Sequence, residues 1–171
     1  NKCLWKTMAN IVYFKKFNEI EPGDILLIAP ESDWENNPKD FLTGNAIKMA
    51  DQFATDSKES NASHTVTFLK EANGVKKFMD NEPEKGPIII DEKQFMEKYG
   101  KREMDVAHLK VAQPLNERQT DQIYKEALKL QQENEKGITE YGLTQGNMIV
   151  CSEASWVLIK STGVLLPGTD F

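Results

Sequence analysis

The sequence predicts an α+β fold in which an antiparallel sheet packs against helices. Several short runs of β-forming residues follow one another between residues 25 and 111, and the Asn73-Gly74 turn joins two of them as a hairpin. Two helix-like segments, rather than a regular alternation of strand and helix, close the chain. Its 171 residues are enough for a sizeable core, and we expect one domain, residues 1–171.

The first third of the chain is predicted to contain two helices and a buried strand. Apolar residues spaced by three and four predict an amphipathic helix over residues 1–20. The segment Glu21–Asp24 is a turn before the apolar strand Ile25–Ala29, which Pro30 ends. A polar loop over residues 31–40, a helix over Phe41–Phe53 and a second polar loop over residues 54–63 complete this part.

The remainder of the chain contains four strand candidates and three helix candidates. The predicted strands are His64–Leu69, Val75–Met79, Ile88–Ile90 and Val106–Val111. The predicted helices are Glu92–Tyr99, a long helix that Pro114 and Asn116 open, and residues 152–161, with Gly163 after the last of them.

The composition is that of an ordinary globular protein, with 39% hydrophobic and 28% charged residues. The net charge of −6 disfavours nucleic acid as a partner, because a phosphate-binding surface needs an excess of basic residues. No apolar run approaches the length of a membrane span. Since Cys3 and Cys151 alone do not make a disulfide framework, we interpret them as free thiols.

Cys151 is the first candidate for chemistry. The apolar stretch Met148–Val150 ends at this cysteine, and a helix-like segment follows at once, so the sulfur is predicted to lie in the first turn of a helix. There the helix dipole and the free backbone N–H groups favour the thiolate, which is the attacking form of cysteine. Spacing alone fits a buried, inert cysteine equally well.

A nucleophilic cysteine needs a base, and His64 is the better placed of the two histidines. A polar group on the next strand would fix its imidazole. Asp80 is the first choice, with Asn81 and Glu82 as alternatives, although such an acidic run is also typical of a solvated face. His108 lies within a predicted strand, between Ala107 and Leu109, and is expected to be structural.

Other kinds of site find little support in the sequence. Paired cysteines and His-x-x-x-His spacing are absent, so no metal is expected. Glycine-rich phosphate loops and the Gly-x-Ser-x-Gly elbow are absent as well, and no cofactor is expected.

Three short motifs occur along the chain in the order Pro22–Leu27, Ser63–Val66 and Val150–Glu153. Together they resemble the circularly permuted branch of the NlpC-type papain-like superfamily, the YiiX/YebB-like cysteine hydrolases. In that branch the histidine strand precedes the cysteine helix, the reverse of papain. The resemblance covers about residues 21–167, and the polar loop 54–63 and the charged segment 81–87 depart from the family pattern.

The resemblance implies a papain-like half-barrel with its nucleophile at the start of a late helix. It implies that Cys151 attacks, that His64 transfers the proton and that a polar residue at the position of Asp80 completes the triad. It also implies substrate contacts by Tyr141, Glu153 and Asp24. The expected function is hydrolysis of an amide or peptide bond, with cell-wall peptides as one substrate class.

Two other functions stay open. Related permuted folds act on lipids, and the N-terminal segment could supply a membrane-facing patch through aromatic residues next to lysines, among them Trp5, Phe14 and Phe17. A catalytically silent binding module is the third hypothesis. The chain begins with Asn1, which we interpret as a processed or excerpted chain. We expect a soluble protein of a bacterium or phage, with secretion or association with the cell envelope as options.

Overall fold

A computed structural model describes residues 12–30, 63–109, 114–138, 140–141, 148–149 and 151–163. In these residues the protein has an α+β fold, as the sequence predicts, with an antiparallel sheet and three α-helices. The predicted helix Phe41–Phe53, the loop 31–40 and most of the loop 54–63 lie outside the described residues.

The main sheet of the described chain has six strands, each antiparallel to its neighbours, in the order β1-β6-β2-β3-β4-β5. Residues 140–141 and 148–149 form a separate short parallel pair, β7 and β8. The bounds of all eight strands are β1 Val12–Lys15, β2 Ile25–Ile28, β3 His64–Ala72, β4 Val75–Glu82, β5 Gly86–Asp91, β6 Met104–Leu109, β7 Glu140–Tyr141 and β8 Met148–Ile149.

The three described helices are α1 Glu92–Tyr99, α2 Glu117–Glu135 and α3 Cys151–Ser161, each close to its predicted position. Two of them begin at a capping box: the side chains of Asp91 and Asn116 accept hydrogen bonds from the N–H groups of Gln94 and Gln119. These caps explain why both helix starts are readable from the sequence.

The prediction of a helix over residues 1–20 is wrong for its described part. Residues Val12–Lys15 form β1, which pairs with β6, and Phe17–Glu19 form a short 3-10 helix. β-Branched and aromatic residues favour a strand, and the free edge of β6 offers their backbone groups hydrogen-bond partners. The apolar spacing of three and four therefore gave a wrong prediction for this segment, because pairing with β6 determines its conformation.

The hairpin between β3 and β4 has the predicted Asn73-Gly74 turn, with φ angles of 54° and 73°. Two consecutive residues with positive φ are typical of the type I′ turn, which suits the twist of paired strands. Farther from the turn, the register shifts by one residue between Phe68 and Lys70, a β-bulge in β3.

The main sheet carries one core on each face, because side chains along a strand alternate in direction. One core lies under α1 and contains Val66, Phe68, Phe78, Phe95 and Tyr99. The other lies under α2 and α3 and contains Leu69, Met79, Ile123, Ala127, Leu130 and Leu158. His64, at the start of β3, contacts Tyr99 of α1 and Cys151 at the N-terminus of α3, and the candidate site is found there.

Candidate active site

His64 and Asp80 meet across the β3–β4 pair. Val66 lies opposite Asp80, so His64, two residues earlier in β3, is the diagonal neighbour of Asp80 on the same face. The Nε2 atom of His64 is 2.7 Å from Oδ1 of Asp80, and the Asp80 carboxyl is fully buried. Asp80, the first choice for the polar group that fixes the imidazole, is thus within hydrogen-bond distance of the ring.

Cys151 is the first residue of α3 and hydrogen-bonds to His64. Since Nε2 of His64 faces Asp80, the other ring nitrogen, Nδ1, is left for the sulfur. The backbone and hydroxyl of Thr65 also hydrogen-bond to Cys151. Both Cys151 and His64 are buried, with 8% and 9% of their surface exposed, so water screens their interaction weakly.

The electrostatics of the site favour a charged pair. Burial alone would lower the pKa of His64, but hydrogen bonds to Asp80 and Cys151 raise that pKa to about 10. Burial alone would likewise raise the pKa of Cys151, but the hydrogen bond and charge of His64 hold it below its ordinary value. Both shifts favour the thiolate–imidazolium pair over the neutral thiol and imidazole.

Asp80 remains ionised although it is buried. Desolvation would raise its pKa, but the hydrogen bond from His64 and the nearby charges of His64 and Lys98 lower the pKa to about 2. The Tyr99 hydroxyl lies 2.9 Å from Oδ2 and 3.1 Å from Oδ1 of Asp80, and Lys98 Nζ lies 2.9 Å from Oδ2. The carboxylate thus has three neighbouring donor groups.

Lys98 and Tyr99 were not among the residues predicted for the site. They follow each other in the last turn of α1, and a sequence pattern does not show which strand that turn packs against. One indication was available: the acidic residues Asp80 and Glu82, if buried in a strand, need a cation nearby. Lys98 supplies it to both carboxylates.

The predicted alternatives to Asp80 occupy different positions. Asn81 is buried, and the alternation of β4 directs it to the opposite face from Asp80. The Glu82 carboxylate accepts hydrogen bonds from Lys98 at 2.7 Å and forms an ion pair with Lys85 at 2.8 Å. Of these three residues, Asp80 is the one that contacts His64.

A hydroxyl network attaches the start of α3 to β3. The Thr67 hydroxyl donates to Ser155 Oγ at 2.8 Å, and Ser155 Oγ lies 3.3 Å from the Cys151 carbonyl oxygen, to which it donates. Thr65 Oγ1 is 3.4 Å from the same serine oxygen. These buried side chains fix the helix turn that carries the sulfur relative to the strand that carries His64.

Asp24 lies in a second polar cluster, at the end of β2 away from His64. The residue that pairs with His64 is Ile28, whereas Asp24 precedes Ile25. The Asp24 carboxylate is 2.6 Å from Lys15 Nζ and 2.5 Å from His108 Nδ1. Substrate contact by Asp24 stays a prediction, and in the described structure its carboxylate contacts Lys15 and His108.

Glu21 completes this second cluster, and its carboxylate, that of Asp24 and His108 Nδ1 lie within 4.8 Å of one another. Such a set of ligand atoms could hold a metal ion, but the Lys15 ammonium lies 2.7 Å from Glu21 and 3.1 Å from His108 Nδ1. Its positive charge thus already lies next to both carboxylates and offsets part of their charge. His108 thus contributes to a network that joins β1, β2 and β6.

The remaining predicted substrate contacts are described only by their backbone. Tyr141 pairs with Ile149, which precedes Cys151 by two residues, and Glu153 belongs to the first turn of α3. Both backbones are thus tied to the segment that carries Cys151. Their contact with a substrate stays a prediction.

Comparisons of the chain with protein-family models, with curated proteins and with solved structures gave no match. Among the described residues, none of the helices has the length and apolarity needed to cross a membrane. The feature that bears on the class of protein is the site itself: a buried cysteine at a helix N-terminus, paired with a histidine that contacts a carboxylate.

Proposed function

We propose that this protein is a cysteine hydrolase that cleaves an amide or peptide bond. One observation carries the proposal: His64 contacts Asp80 on one side and Cys151 on the other, and Cys151 begins a helix. This arrangement of nucleophile, base and orienting group is what acyl transfer through a thioester requires.

The reaction follows from the charges of the pair. The Cys151 thiolate attacks the carbonyl carbon, and the resulting oxyanion would accept a hydrogen bond from the Cys151 N–H at the helix N-terminus. The His64 imidazolium gives its proton to the leaving amine, which departs and leaves an acyl thioester. Neutral His64 then takes a proton from water, the hydroxide attacks the thioester, and the thiolate and imidazolium return as the acid product leaves.

The permuted papain-like family is the proposed identity of the fold. It is supported by the order of the elements, with the histidine at the start of β3 and the cysteine at the start of the late helix α3. The Pro22-Gly23-Asp24 turn before β2 also fits, since Gly23 has a φ of 89° and a Cβ there would lie 2.8 Å from Leu115. Peptide stems of the bacterial cell wall are the substrate class that this resemblance suggests.

The lipid-directed alternative depends on the N-terminal aromatic residues. Trp5 and the other residues before Val12 lie outside the described part of the chain, and the side chains of Tyr13 and Phe14 are likewise not described. No observation in the described residues favours this function over amide hydrolysis.

The first test is the pH dependence of Cys151 alkylation, with Cys3→Ser in every variant. In the otherwise wild-type protein we expect a thiol that reacts well below its ordinary pKa of about 8.5. His64→Ala should raise the thiol pKa towards that value, because the stabilising charge is lost. His108→Ala is the matched control and should leave the profile unchanged, since His108 belongs to the second cluster.

The second part of the test is catalysis. Incubation with peptide amides, including muropeptide stems, should give a free acid and an acyl adduct on Cys151 that mass spectrometry detects; Cys151→Ala should give neither. If the pH dependence of Cys151 alkylation is the same in His64→Ala as in the parent, the proposal is contradicted. A reactive thiol that yields no acyl adduct with any amide or ester would instead support a binding module.

A further inference from the structure

Lys98 joins the candidate active site to a second carboxylate. Its Nζ atom lies 2.9 Å from Oδ2 of Asp80 and 2.7 Å from Oε1 of Glu82. Its side chain is 25% exposed, so the ammonium is partly removed from water. Charge–charge interactions at such a position are screened less than those on an open surface.

The position of Lys98 is fixed by the helix that carries it. Asp91 caps α1 at its start, and Phe95 and Tyr99 are buried against β3 and β4. Tyr99 is also hydrogen-bonded to Asp80. With its sequence neighbour anchored in this way, Lys98 is held at the rim of the site and does not depend on an isolated surface ion pair.

The charge balance of the site gives Lys98 a role. In the reactive state Cys151 and Asp80 each carry a negative charge and His64 a positive one, and Glu82 adds a further negative charge two residues from Asp80 along β4. Lys85, whose side chain is 59% exposed, also pairs with Glu82, but Lys98 is the lysine that contacts the buried Asp80. Without Lys98 these groups would keep three negative charges against two positive ones. A surplus of negative charge opposes formation of a thiolate.

We propose that Lys98 is a positioning residue that holds the Asp80 carboxylate through a direct ion pair and sets the pH range in which Cys151 and His64 form their charged pair. This inference rests on the proposed function, because it concerns how the same site is tuned. Lys98 does not touch the sulfur; it acts through Asp80 and through its charge.

The expected effect of removing Lys98 has a definite sign. A nearby positive charge lowers the pKa of every titrating neighbour, so Lys98→Met should raise the pKa of both Cys151 and His64. The alkylation profile has a lower limb, where the thiolate forms, and an upper limb, where His64 loses its proton. Both limbs should move to higher pH, by roughly 0.5 to 1 unit at an effective dielectric typical of partly buried charges.

The experiment measures alkylation of Cys151 against pH in a Cys3→Ser background for Lys98→Met, Lys98→Arg and Glu82→Gln. Arginine keeps the charge and should restore the wild-type profile. Glu82→Gln removes a negative charge and should shift both limbs in the opposite direction, to lower pH. Lys93→Met is the matched control, because Lys93 lies on the same helix with a side chain that is 85% exposed.

The outcomes separate the inference from the proposed function. If the parent has a Cys151 thiol of low pKa and Lys98→Met does not shift its alkylation profile, the role of Lys98 is overturned and the hydrolase proposal is left intact. A parent thiol with an ordinary pKa overturns both. If Lys98→Met does not fold, Lys98→Gln, which keeps a hydrogen-bond donor but no charge, decides the matter: a shift of both limbs to higher pH supports the inference, and an unchanged profile overturns it.

Discussion

At the scale of single residues, Asp80 is the group that determines the charge of His64. It is fully buried and meets His64 at 2.7 Å, with Tyr99 and Lys98 as further partners. A buried carboxylate in such a position both fixes the imidazole orientation and stabilises the imidazolium. Replacing Asp80 should therefore change the pKa of His64 as well as the rate of substrate turnover.

Asp80→Asn should leave the shape of the site nearly intact and remove the charge. We expect the pKa of His64 to fall from about 10, so the upper limb of the Cys151 alkylation profile should move to lower pH. Turnover of an amide substrate should fall by about 10²- to 10⁴-fold. Asp105→Asn, at an exposed position of β6, is the control. An unmoved upper limb would show that Asp80 does not stabilise the imidazolium.

At the scale of elements, the site depends on how α3 meets β3. Cys151 and His64 lie on different elements, and the hydroxyls of Thr67 and Ser155 join those elements at 2.8 Å. Because Ser155 is one helical turn after Cys151 and is bonded to its carbonyl, it reports directly on the position of the first turn.

Ser155→Ala should destabilise the protein and loosen the helix start. The Thr67 hydroxyl is buried and would lose its acceptor, which costs about 1–3 kcal/mol of unfolding free energy. Urea denaturation measures this loss, and the alkylation rate at neutral pH should fall with it. Ser161→Ala removes a hydroxyl from the other end of α3 and should cost less. Equal stability and rate in both variants would show that the network does not position Cys151.

The elements were predictable to the extent that local chemistry determined them. The Asn73-Gly74 turn and the caps at Asp91 and Asn116 act over a few residues, and the sequence predicted the hairpin and both helices. β1 was mistaken for a helix, because its conformation depends on pairing with β6, nearly 100 residues later in the chain. Lys98 was missed for the same reason, since it reaches Asp80 through tertiary packing alone.

At the scale of the whole molecule, the buried charges make stability depend on pH. The folded-state pKa of His64 is raised from 6.5 to about 10, so its contribution is complete below 6.5 and is lost as the pH rises through 10. The pKa of Asp80 is lowered from 3.8 to about 2, so its contribution is present above 3.8 and is lost as the pH falls through 2.

We therefore expect the urea midpoint to be highest between about pH 4 and 6.5 as far as these two groups determine it. It should decline as the pH rises towards 10 and as the pH falls below 4. In His64→Ala the decline between pH 6.5 and 10 should be weaker, whereas His108→Ala should retain it. A midpoint that is flat from pH 6.5 to 10 in the parent would contradict the charged state of His64.

The β-bulge in β3 determines which residue of β4 lies opposite Val66, and so which side chain is the diagonal neighbour of His64. On the turn side of the bulge Lys70 pairs with Lys77, and beyond it Phe68 pairs with Phe78, so one extra residue is accommodated. An uninterrupted ladder counted from Asn73-Gly74 would bring Asn81, rather than Asp80, opposite Val66. Asn81 would take that place only if Leu69 entered the ladder as a regular residue; deleting Leu69 would remove the bulge and leave Asp80 opposite Val66. The one residue that stands outside the β3 ladder thus determines whether β4 presents a carboxylate or an amide to the face that carries His64.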